Sequence, residues 1–192
     1  MEFGVGELGE ECNTRLLLEQ GWTGLRMDGV AQPAPNDIRQ EFITAENINE
    51  LFARYDVPDD FDLLSIDIDS NEYWVLRALD GRYRPRVLTM EYNASLGPVA
   101  RKTIAYDPTH IWDVSSYFGA SLAALHDLAS RRGYELVGCD SMGVNAFWVR
   151  AGESHGLRAL TPAEAWVEPG YGITVWGRRI GFSPSARPFV RV

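Results

Sequence analysis

The chain has 192 residues, with 27 acidic and 18 basic side chains and a net charge of −9. Its length suits one domain, with at most an extension, and is enough to bury a core without disulfides or structural metal. With 45% hydrophobic and 23% charged residues and no long apolar run, the composition excludes general disorder and a membrane span.

The first residues, Met1 to Gly9 (MEFGVGELG), read as a strand end running into a glycine-rich turn. Asn13 to Gln20 reads as a helix with Asn13 or Thr14 as N-cap, closed by Gly21. Gly24 to Gly29 reads as a second strand ending on Asp28, and residues 30–37, with two prolines, read as a loop. A short strand over Glu41 to Thr44 and a helix over Ala45 to Tyr55 follow. Leu63 to Ile68 (LLSIDI) has the near-continuous apolar character of a parallel strand covered on both faces. Asn71 to Leu79 reads as a helix and Pro85 to Tyr92 as another buried strand. Asn93 to Ser116 is long, polar and aromatic, as expected of a loop over a site. Ser121 to Arg132 is an amphipathic helix stopped by Gly133, and Tyr134 to Cys139 and Ala146 to Val149 read as closing strands. Residues 151–192 are rich in Gly and Pro, with a strand expected at Ile173 to Trp176. Alternation of strand and helix predicts an α/β sheet.

Charge is unevenly distributed. Residues 1–72 carry a balance of −13, whereas residues 73–150 and 151–192 each carry +2. An acidic front half argues against a nucleic-acid partner, because phosphate contacts need Lys and Arg. Cys12 and Cys139 make neither a disulfide scaffold nor a zinc spacing, and no secretory signal opens the chain, so a cytoplasmic setting is expected.

Glycines after a first strand let a ligand approach the backbone closely, and the next helix supplies N–H donors. Gly4, Gly6 and Gly9 hold those positions, and Asp28 sits about 20 residues further on, where a carboxylate suits the ribose hydroxyls of a nucleoside. A tight strand–helix turn without a ligand is the other reading of the same pattern.

The segments EFGVG (2–6), NTRLLLEQGW (13–22), ITAENIN (43–49), DLLSIDID (62–69), EYNA (91–94), 106–125 and GVNAFWVR (143–150) together resemble the FkbM-like group of class I S-adenosylmethionine-dependent methyltransferases. The likeness covers about residues 2–150 and leaves 151–192 as a C-terminal extension. It implies a Rossmann-like methyltransferase sheet, mostly parallel with an antiparallel closing strand. It also implies that Glu2, Gly4, Gly6 and Gly9 line the methionine and ribose part of the cofactor, and that Asp28 holds the ribose hydroxyls. Glu46 or Asn47 would lie beside the adenine, and Asp67 and Asp69 would face the sulfonium and the substrate. The activity implied is methyl transfer to oxygen or nitrogen of a small molecule in a biosynthetic pathway.

Two departures from the family pattern stand out. Glu7-Leu8 occupies the space of one residue, so Gly9 arrives one position late. The family carries helical material ahead of its first strand, and here the sequence opens on the motif itself. The expected fold therefore lacks the N-terminal helical front, through truncation or because a companion subunit in a heteromer supplies it. The disturbed turn leaves a second reading open: the methyl donor is lost and the crevice promotes another displacement. An example is ring closure by an internal amine with loss of an anionic group, which Asp69 or Glu91 and nearby Arg would assist. A non-catalytic subunit is a third.

Asp67 and Asp69 are spaced i, i+2, as are Glu91 and Asn93, so each pair shares one side if its strand continues. Neighbouring parallel strands would bring all four to the carboxyl edge, where α/β sheets bind ligands. Three roles remain open: general base (Asp69, Glu91), oxygen ligands for Mg²⁺, or capping of helices and loops. His110 lies in the polar loop, placed either for proton transfer or as packing. Asn93, Tyr106, Trp112 and Tyr117 are candidate substrate contacts, and the aromatics either wall the substrate or simply pack.

Overall fold

The structure, a computed structural model, describes residues 1–30 and 37–192. The loop expected over 30–37 lies almost wholly outside the described residues. In chain order the elements are β1 (Glu2–Phe3), α1 (Arg15–Glu19), β2 (Arg26–Asp28), β3 (Ile38–Gln40), α2 (Ile48–Arg54), β4 (Leu63–Ile66), α3 (Glu72–Ala78) and β5 (Val87–Glu91). There follow β6 (Lys102–Thr103), α4 (Leu122–Arg131), β7 (Tyr134–Cys139), β8 (Asn145–Arg150), α5 (Pro162–Ala165), β9 (Thr174–Val175), β10 (Arg178–Arg179) and β11 (Val190–Arg191).

Seven strands form one sheet in the order β3-β2-β1-β4-β5-β8-β7. Pairing from β3 to β5 is parallel, and β8 runs against both its neighbours. The fold is thus α/β with a large, mostly parallel mixed sheet. Chain order runs outward from β1 to β3 on one side and from β4 to β5 on the other, where β8 then inserts between β5 and β7. Such a reversal opens a crevice at the carboxyl ends of β1 and β4.

Alternating strand residues separate the two faces of this sheet. Phe3, Met27, Leu64, Ile66, Leu88, Met90, Leu136 and Trp148 all point to one side and are buried there with Ile48, Leu51 and Phe52 of α2, Tyr73 and Leu76 of α3, and Leu122, Leu125 and Leu128 of α4. The opposite face carries α1, which has no buried residue. There Leu17 and Trp22 line a groove with Leu63, Val87 and Val149. Ser65 and Thr89 are nevertheless buried on this second face, so β4 is covered on both sides as expected, and only Leu63 at its start is half-buried beside the groove.

Local chemistry explains the element boundaries. Ser121 caps α4 by accepting from Ala124 N, and Gly133, at φ 84°, lets the chain leave it. The strand expected at Glu41 to Thr44 forms instead at Ile38–Gln40, in register with Arg26–Asp28. Thr44 and Asn47 exchange hydrogen bonds between side chain and backbone, which folds that segment into a turn ahead of α2.

The C-terminal residues strap the long loop to the body. Thr161 and Glu164 form a capping box at α5. Trp166 Nε1 donates to the Ala94 carbonyl at 3.2 Å, β11 pairs with β6, and the Phe182 ring lies 4.6 Å from that of Trp112. Among the described residues no helix is long and apolar enough to cross a membrane.

Candidate functional site

At the carboxyl edge, β1 and β4 come unusually close. A Cβ on Gly4 would sit 1.4 Å from the Asp67 carbonyl oxygen, so only glycine fits there. Gly4 and Gly6 both take positive φ. The turn they make is fastened by Asp28: its Oδ2 accepts from Val5 N and Gly6 N at 3.0 Å each, and its Oδ1 from Val30 N at 2.8 Å.

Beside this turn lies a cavity of about 270 Å³. The Gly4–Gly6 turn and Asp28 form one wall, and Phe42, Ile43, Ile111 and Trp112 supply apolar surface. Asp67, Asp69, Glu11 and His110 also face it, and among the described residues no Lys or Arg does. A larger cavity of about 630 Å³ lies between the 94–97 turn and the C-terminal hairpin, but it gathers no comparable set of polar groups.

Asp69 reaches the cavity by a route the sequence did not suggest. The strand stops at Ile66, and Asp69 takes φ 55°, so the two aspartates meet through a turn and not along a strand. Glu72 holds that turn: its Oε1 accepts from Ile68 N at 3.0 Å and Ser70 N at 2.9 Å. Asp67, Asp69 and Glu91 each present an oxygen within 4.8 Å of the others. Burial pushes Asp67 up to about 7 and Asp69 up to about 6, with neighbouring carboxylates adding to both. Burial likewise pushes Glu72 up to about 8 and holds Glu91 well above the usual carboxylate range. His110 is 8% exposed, and its Nε2 has no partner.

Gly4, Gly6, Asp28, Asp67, Asp69, His110 and Trp112 therefore converge on one cavity, with Glu91 directly behind it. The other expected residues do not line it. Glu2 is 1% exposed, and its carboxylate accepts from Cys12 Sγ, Asn13 N, Thr14 N and Thr14 Oγ1, so it organises the start of α1. The Cys12 thiol that donates to it is pushed up by burial, the opposite of thiolate stabilisation. Gly9 packs against Ile38. Glu46 is exposed and bound to the Tyr106 hydroxyl, away from the cavity. Phe42 and Ile43 take the place expected for Glu46 and Asn47. Asn93 is spent on the loop, donating to the carbonyls of Ser116 and Phe118. The Tyr117 hydroxyl accepts from Ala105 N, and its ring packs on His110 and Phe189.

Glu11, Phe42 and Glu72 were missed from the sequence. Glu11 carried a signal, since it lies two residues after Gly9 of the glycine turn. Glu72 carried a weaker one, as a carboxylate opening the helix after the Asp67–Asp69 turn. No protein-family model matches this sequence, and no curated protein matches it.

Proposed function

We propose that the chain is an S-adenosylmethionine-dependent methyltransferase of Rossmann-like fold, acting on a small molecule. One observation carries this reading: a carboxylate at the tip of β2 and the glycine turn it fastens form one wall of a cavity that also has apolar surface, four carboxylates in all and, among the described residues, no Lys or Arg. A phosphate-bearing cofactor would need cationic or free N–H donors there. A cationic nucleoside does not.

The residues present fit such a ligand. Three of roughly four lone-pair positions on the Asp28 carboxylate are taken, which leaves one for a ribose hydroxyl. Phe42, Ile43 and Val30 offer a surface for adenine, and Asp67 and Asp69 offer negative charge to a sulfonium. The volume is close to the lower end of ligand sites, about 300 Å³. When bound, S-adenosylmethionine supplies an electrophilic methyl group. The chain's own contribution is then positioning: Trp112 and Ile111 shield the cavity, and His110 Nε2, free of any protein partner, receives the proton of the attacking heteroatom.

The thinly covered sheet face along Leu17, Leu63, Val87 and Val149 supports a companion subunit in the same reading. Ring closure with loss of an anionic group is less well supported. It needs donors for the leaving anion, and the Arg expected nearby does not reach the cavity.

Calorimetric titration with S-adenosylmethionine and S-adenosylhomocysteine tests the proposal. Saturable binding of both, abolished in Asp28→Ala, is expected. A folded protein that binds neither overturns it.

A further inference from the structure

We propose that Asp67, Asp69 and Glu91 form a binding site for one hard divalent cation at the back of the cavity, with the side-chain oxygen of Asn145 as a fourth ligand. The proposal does not depend on the identity of the nucleoside cofactor.

The three carboxylate oxygens lie within 4.8 Å of one another. Two ligands of one ion stand at most two bond lengths apart, about 5 Å for Ca²⁺ and about 4 Å for Mg²⁺. Ca²⁺ thus fits the spacing as it stands, and Mg²⁺ requires a slight contraction. An all-oxygen donor set without His or Cys selects ions of this kind.

Proximity of carboxylates alone is a weak indication, and the surroundings add to it. Asp67 Oδ2 is held by two amides, Asn13 Nδ2 at 3.0 Å and Asn145 Nδ2 at 3.3 Å. The Asp67 carboxylate is therefore oriented by one amide outside the cluster, that of Asn13, and by Asn145 within it. Asn145 is 7% exposed, and its Oδ1 has no partner although its amide touches Asp67. Asn145 also stands directly opposite Glu91 in the β5–β8 pair, which puts both side chains on one face. Glu91 is equally buried, and its Oε2 also lacks a partner.

Two buried acceptors thus project from facing positions, one of them from a neutral residue, and no protein donor meets them. Native structures leave few such groups unsatisfied, and each orphan costs stability. A cation satisfies all of them at once. It also offsets the like-charge repulsion among the three carboxylates. With five carboxylates at or behind the cavity (Glu11, Asp28, Asp67, Asp69, Glu91), a doubly charged ion leaves the site net negative. The site therefore remains compatible with a cationic nucleoside.

The test uses the full chain, stripped with EDTA and desalted, without nucleoside. Mn²⁺ binding is followed by electron paramagnetic resonance, with Ca²⁺ and Mg²⁺ as competitors. One Mn²⁺ per chain is expected, displaced by Ca²⁺ or Mg²⁺, with a rise in the thermal midpoint on loading. Asp69→Asn and Glu91→Gln should each weaken Mn²⁺ binding about tenfold or more, because ligand charge sets affinity. Glu19→Gln, on the exposed end of α1, should leave it unchanged. Glu91→Gln is isosteric and removes a buried ionisable group, so it is not expected to impair folding, which circular dichroism verifies. Absence of Mn²⁺ binding below millimolar concentration, or equal binding by Glu91→Gln and Asp69→Asn, overturns the proposal.

Discussion

The Asp28 carboxylate accepts the backbone N–H of Gly6 at 3.0 Å, and so the end of β2 fastens the turn that leaves β1. The same oxygen accepts from Val5 N, which belongs to a fully buried residue. Asp28→Ala would strand these donors, and bonds to a charged acceptor contribute about 1.5–3 kcal/mol each. We expect Asp28→Ala to destabilise the chain by about 3 kcal/mol in urea unfolding. Asp28→Asn, which keeps one acceptor oxygen, should lose less. Nucleoside binding should fall in both.

Gly4 and Gly21 both have positive φ but differ in their surroundings. A Cβ at Gly4 would collide with the Asp67 carbonyl, whereas one at Gly21 meets nothing within 4 Å. Gly21→Ala should therefore cost only the conformational penalty of about 1–2 kcal/mol. Gly4→Ala must also force β1 from β4 at the centre of the sheet. A loss above about 4 kcal/mol is expected, read as insoluble or unfolded protein beside a folded Gly21→Ala.

Residues that end strands were the most legible in the sequence. Asp28, Asp67 and Glu91 follow apolar runs, and the sheet order fixes where such ends meet. The glycines Gly4 and Gly6 were legible for the same reason. Loop residues were not, because their partners depend on how the loop folds. Tyr106 turned to Glu46, and Asn93 to two carbonyls of its own loop. β3 escaped notice because Ile38-Arg39-Gln40 holds a single apolar residue, too few to show alternation. The role of Phe42 followed from that error, since it becomes a cavity residue only once the strand ends before it.

Trp112 rests on Phe118 and Phe182, and Phe182 comes from the C-terminal strap. The strap therefore braces the aromatic wall of the cavity from behind. Phe182→Ala should cost about 1–3 kcal/mol, less than a fully buried phenylalanine, because the ring is half-buried. Its more telling effect is local. Proteolysis within 105–118 should accelerate, and nucleoside affinity should fall, while Phe61→Ala, remote from the cavity, should not change affinity in the folded fraction.

Glu72 is fully buried beneath the Asp67–Asp69 turn, and burial raises it from 4.5 to about 8. The folded chain thus holds this proton more tightly than the unfolded chain does. Between pH 4.5 and 8 the folded state binds more protons, so stability falls as pH rises through that window. Asp69, Asp67 and Glu91 face Glu72 and act in the same direction. Glu72→Gln keeps an acceptor for Ile68 N and Ser70 N and removes the ionisation. Urea unfolding of the EDTA-treated protein should show a flatter decline from pH 5 to 8 in the variant, with its largest advantage over the wild type near pH 8. A parallel decline in the two proteins would mean that the Glu72 proton does not contribute to the slope.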